Sequence, residues 1–114
     1  MNQIRLGQTL DLDEENHKKF LITREGEDFV FHCGATYSHA DLAARLELDQ
    51  ENIMGGGEMD VFCDGTLVLK DDSMKYGGVP KEVLEPLVPE LLRVTKATTA
   101  VVNPQFHGQM EKWK

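Results

Sequence analysis

The residue pattern predicts an α+β domain, with helices packed on a mixed β-sheet. Three observations carry that prediction. Two pairs of apolar, strand-like runs each flank a short turn that contains glycine. Two other stretches place apolar residues at helical spacing. The elements follow the order strands, helix, strands, helix, strand. At 114 residues and 40% hydrophobic content, residues 1–114 fit one domain with a single core.

The first strand rests on Ile4 and Leu6, then Leu10 and Leu12, which alternate with polar residues. An acidic, polar patch follows from Asp11 to Lys18. KKFLIT (18–23) and DFVFHC (28–33) flank Arg24-Glu25-Gly26-Glu27 and read as a hairpin. Gly34 closes that strand. Ser38, with Asp41 three residues on, matches the S/T-x-x-D/E pattern that opens a helix. That helix sets Leu42, Ala43, Leu46 and Leu48 on one side, which suits packing against a sheet.

Gly55-Gly56-Gly57 reads as a flexible turn leading into the strand EMDVFC (58–63). Asp64-Gly65, set between that run and TLVLK (66–70), is a strong hairpin signal. DDSMKYGGVP (71–80) is dense in turn residues and reads as a loop. Val83, Leu84, Leu87, Val88, Leu91 and Leu92 then follow helical spacing. Pro86 and Pro89 lie inside that run and predict an irregular or late first turn. TTAVVN (98–103) reads as the last strand, and the tail to Lys114 is expected to be loosely held.

Charge and composition narrow the function. A net charge of −8 repels a phosphate backbone and argues against nucleic-acid binding. No apolar run approaches the roughly 20 residues of a membrane span. MNQIRLGQTLDLDEE lacks the apolar core of a signal peptide, so the expected location is the cytoplasm. Cys33 and Cys63 sit in strand-like stretches outside any C-x-x-C pair, and both read as buried thiols. His17, His32, His39 and His107 show no metal-ligand spacing, so neither metal nor cofactor is expected.

Three stretches could carry chemistry. GGGEM (55–59) could bring backbone N–H groups to an anion, but it lacks the G-K-[ST] ending of a Walker loop and is no G-x-G-x-x-G fingerprint. DDSMKYGG (71–78) could present a hydroxyl and backbone N–H groups, without the G-x-S-x-G elbow of serine hydrolases. Tyr37-Ser38-His39-Ala40-Asp41 places a histidine in a first helical turn, where the partial positive charge lowers an imidazole pKa. A neutral imidazole there can act as a base or a nitrogen nucleophile, beside N–H groups that hold anionic oxygens.

Those three stretches together are more specific. Y-x-H-A-D, then G-G-G-x-M, then S-M-x-Y-G, preceded by FVFHCG, resembles the Janus/Ocnus family of phosphohistidine phosphatases. The similarity runs from about Lys18 to Asn103. The resemblance implies a mixed six-stranded sheet with two helices packed on it. It implies metal-independent hydrolysis of the P–N bond of phosphohistidine, in proteins or in small phosphoramidates. His39 matches the essential histidine, and the N–H groups of His39 and Ala40 match one half of a phosphate clamp. Ser73, by hydroxyl and backbone, and the backbone of Met74 match the other half. Lys18, or its neighbour Lys19, matches a lysine that contacts the phosphate, and Gly55, Gly56 and Gly57 would line the wall.

Ser38, Glu58, Lys75 and Tyr76 complete the expected site. Three of these depart from the family pattern: Glu58 stands where a basic residue is found, Ser38 replaces an aromatic one, and Lys75 replaces a small one and partly offsets the charge at Glu58. The implied partners are a phosphohistidine-bearing protein or small phosphoramidate and the phosphate ion, acting on a monomer. The alternative is a Janus-type module that binds phosphate or a phosphoprotein without turnover.

Overall fold

The computed structural model describes residues 3–12 and 17–114. Six strands, β1 (Ile4–Leu10), β2 (Lys18–Glu25), β3 (Asp28–Gly34), β4 (Ile53–Val61), β5 (Thr66–Asp71) and β6 (Thr99–Pro104), form one sheet in the order β1-β3-β2-β4-β5-β6. The inner neighbours are antiparallel, and the two outer strands pair parallel to theirs. This is the expected α+β mixed sheet with helices packed on it. Both hairpins occur as the turn residues require, with Gly26 and Gly65 at positive φ. Residues 13–16 of the polar patch lie outside the described residues.

The period-2 alternation of the strands divides the chemistry between two faces. Phe20, Ile22, Phe31, Met59, Leu67 and Leu69 point to one face and form the main core with Val83, Leu84, Leu87 and Leu91. The stacked rings of Phe20 and Phe31, 4.8 Å apart, sit at its centre. Each such side chain contributes about 1.5–3 kcal/mol by burial. The helical run covering this face is α2 (Lys81–Leu84), a 3-10 turn (Glu85–Leu87) and α3 (Val88–Thr95). Pro86 and Pro89 each fall at the start of a segment, so the break expected from the prolines is present.

On the other face α1 (His39–Arg45) packs Leu42 and Ala43 against Leu21, flanked by Leu46 and Leu48. Ser38 is its N-cap, and its Oγ accepts the Asp41 N–H at 3.0 Å. No helix among the described residues is long and apolar enough to cross a membrane.

Three expectations are corrected. The glycine triplet is no turn: it lies inside β4, opposite Phe20, Leu21 and Ile22 of β2. Its lack of side chains answers a tertiary need, because a Cβ on Gly55 would stand 2.4 Å from the Gly78 carbonyl oxygen. The C-terminal tail is docked, not loose. Trp113 is buried against Phe29 and Phe106, and Arg24 donates to the Lys112 carbonyl at 3.2 Å. Of the two thiols only Cys33 is buried; Cys63, just past the end of β4, is exposed.

Candidate functional site

The start of α1 overhangs the middle of β2 and β4, and the loop leaving β5 closes the opposite side. Between them lies an open cavity of about 480 Å³. Lys19, Ser38, His39, Ala40, Glu58, Ser73, Met74 and Lys75 line it, all of them expected from the sequence. Tyr37, Asp71, Asp72 and Gln105 line it as well and were not expected.

His39 is held by its own strand neighbours. Its Nε2 lies 2.7 Å from the Gly57 carbonyl oxygen, which can only accept, so Nε2 carries the proton. The ring edge passes over Gly56, where an added Cβ would meet His39 Cδ2 at 3.2 Å. The neutral ring therefore presents Nδ1 as a bare lone pair, and no described residue hydrogen-bonds to it. Burial lowers the His39 pKa below 6.5; the Gly57 carbonyl opposes the shift and the Lys19 charge adds to it. The expected neutral imidazole is present, but desolvation is its first cause, not the helix start.

The clamp is partly assembled. His39 and Ala40 open the helix, where N–H groups have no intrahelical acceptor. The Met74 N–H has no partner among the described residues. The Ser73 N–H is already committed to the Gly77 carbonyl at 3.2 Å, so Ser73 offers a hydroxyl but no backbone donor. That hydroxyl oxygen accepts the Tyr76 N–H at 3.1 Å, which sets the loop. The Gly77 carbonyl also accepts the Gly56 N–H at 2.9 Å and so ties the loop to β4.

The two lysines separate by alternation. Lys18 points to the main-core face and is 2% exposed, beside Cys33, whose thiol burial pushes up to about 12 while the Lys18 charge pulls it down. It does not line the cavity. Lys19 points to the α1 face and does, with its Nζ 3.0 Å from Glu58 Oε1. Gly55, Gly56 and Gly57 form the floor behind the His39 ring and are not themselves cavity lining. Tyr76 turns away from the cavity and donates its hydroxyl to Gln50 at 2.7 Å.

Glu58 is the hub of a charged row. It contacts Lys19 and His17, and His17 bridges on to Asp60, which pairs with Lys70 at 3.2 Å. Burial alone would raise the Glu58 pKa; hydrogen bonds with Asp71, His17 and Lys19 outweigh it and hold the carboxyl down at about 2. Burial pulls the His17 pKa down, but its two carboxylate partners raise it overall, so both ring nitrogens donate. No family model matches the chain, and no curated protein matches it.

Proposed function

We propose that this protein is a phosphoamidase of the Janus/Ocnus type, which hydrolyses the P–N bond of phosphohistidine in a protein or a small phosphoramidate. The observation that carries the reading is the His39 ring, which lines the cavity with Nε2–H fixed on the Gly57 carbonyl and Nδ1 without a hydrogen-bond partner among the described residues. Around it stand the groups that suit a phosphoryl dianion: the N–H donors of His39, Ala40 and Met74, the Ser73 hydroxyl, and the Lys19 and Lys75 ammonium groups.

In this reading His39 Nδ1 attacks phosphorus as the substrate P–N bond breaks. The Nε2 proton stays on the ring, so the phosphorylated imidazole is cationic and its second expulsion, by water, releases neutral imidazole. The Gly57 carbonyl stabilises that cation. The free thiols of Cys33 and Cys63 fit a reducing cytoplasm. The chain would act as a monomer on a phosphohistidine-bearing partner and release phosphate.

The test is hydrolysis of phosphohistidine by the purified protein and by His39→Ala. Turnover by the parent that the variant loses supports the reading. Phosphate binding without turnover in the parent would replace it with a Janus-type binding module.

A further inference from the structure

Ser73 is a buried donor with an unmet proton. It lines the cavity while only 1% exposed, and its oxygen accepts the Tyr76 N–H at 3.1 Å. Its hydroxyl proton meets no acceptor among the described residues and is free for an oxygen of a bound group. The charges beside it do not suit a bare phosphate. Two lysines of the lining, Lys19 and Lys75, face three carboxylates, Glu58, Asp71 and Asp72. Lys19 is held by Glu58 and Lys70 by Asp60, so Asp71 and Asp72 have no ion-pair partner among the described residues.

A phosphoryl group brings nearly two further negative charges. With both lysines turned to it, all three carboxylates are left without a cation. The compensation that is missing comes best from the rest of the substrate.

The mouth of the cavity points to a large substrate. Tyr37 is 94% exposed and Met74 fully so, the one just before α1 and the other on the loop leaving β5. Of the four large apolar side chains exposed among the described residues, these two line the cavity. Such side chains at the mouth of a site gain when a polypeptide covers them.

Resting on the phosphoamidase reading, we propose that the substrate is a polypeptide whose phosphohistidine is flanked by lysine or arginine. The phosphoryl group takes the Ser73 hydroxyl and the two lysines. The flanking cations pair with Asp71 and Asp72, and the polypeptide lies against Tyr37 and Met74. The net charge of −8 attracts such a partner at long range and repels an acidic one.

The experiment measures kcat/KM at low ionic strength for free phosphohistidine and for phosphohistidine peptides of equal length, flanked by lysines, by serines or by glutamates. The lysine peptide should exceed the glutamate peptide by about tenfold, with the serine peptide between them. Salt at about 0.5 M should shrink the gap. Asp71→Asn combined with Asp72→Asn should cut the lysine-to-glutamate ratio to about twofold, and a general loss of activity cancels in that ratio. Asparagine suits the positive φ of Asp71, so the fold is kept. Tyr37→Ser should lower kcat/KM for the lysine peptide about fivefold and leave free phosphohistidine unchanged. Equal rates on the three peptides, or a parental ratio in the double variant, would overturn the proposal, while hydrolysis of phosphohistidine would still uphold the phosphoamidase reading. A parent faster on free phosphohistidine than on every peptide would overturn the polypeptide substrate. A parent inactive on all of them would overturn the underlying reading and this proposal with it.

Discussion

His32 and His39 lie on the same side of the sheet, and their resemblance is close. Both rings are neutral with the proton on Nε2, and burial lowers the pKa of each. They differ at one nitrogen. His32 Nδ1 accepts the Gln8 N–H at 3.1 Å, and its Nε2 donates to Thr23 Oγ1 at 2.9 Å, whose hydroxyl passes on to Glu25. Both nitrogens are used, and the ring pins the irregular edge where β1 meets β3. Gly7 allows that approach, since a Cβ there would stand 2.7 Å from His32 Cε1. His39, which lines the cavity, uses one nitrogen for anchorage and leaves the other without a hydrogen-bond partner among the described residues. Burial and tautomer do not separate the two histidines; the unoccupied lone pair does.

The largest effect expected from this contrast is on turnover. His39→Asn should lower the hydrolysis rate by at least about 10²-fold. Its stability should fall by only about 1 kcal/mol, for the lost Gly57 hydrogen bond, as read by chemical denaturation. Parental turnover in that variant would break the contrast. His32→Ala should show the reverse pattern. It strands the Gln8 N–H and the Thr23 hydroxyl, costs about 1–3 kcal/mol, and leaves turnover per folded molecule close to that of the parent.

The site was legible where local rules act and hidden where topology acts. Ser38 announced the helix through its own hydroxyl, and Asp64-Gly65 announced its hairpin, because a cap and a turn are decided within a few residues. The glycine triplet misled because its reason lies elsewhere in the chain, in the Gly78 carbonyl and in the Phe20 and His39 rings that a Cβ would strike. Lys18 and Lys19 could have been separated by the alternation of KKFLIT, since Phe20 and Ile22 mark the core face and Lys18 shares it. Asp71, Asp72 and Gln105 carry no local signal; β5 and β6 bring their ends to the cavity only in the folded sheet. Trp113 docks through Phe29 and Phe106, which no tail sequence foretells.

Smaller effects sharpen the picture. Ser73→Ala should weaken phosphate binding about tenfold, measured by NMR titration, with shifts at residues 39–40 and 74 in the parent. Shifts confined to other regions would remove the clamp. Acid should also distinguish the rings. Both lowered pKa values mean that the unfolded chain takes up protons first. The stability due to the two neutral rings is whole above about pH 6.5 and is lost as pH falls through their folded values. His17, raised by its carboxylates, acts oppositely, its contribution being full below about pH 6.5 and lost as pH rises past its folded value. His32→Ala should therefore lose less stability than the parent between about pH 7 and about pH 5, read as the shift of the thermal midpoint. A strong chelator should leave turnover unchanged, given the absence of metal-ligand spacing in the sequence; loss restored by a divalent ion would contradict this.

The bare nitrogen itself can be seen. A long-range ¹H–¹⁵N NMR spectrum of the ligand-free protein near pH 7 reports the protonation of each ring nitrogen separately. The expected result is His39 with a protonated Nε2 and an unprotonated Nδ1 whose shift moves when phosphate is added, beside a His32 of the same tautomer that does not respond. A His39 protonated on Nδ1, or on both nitrogens, would leave no lone pair in the cavity and would contradict the assignment of His39 as the nucleophile.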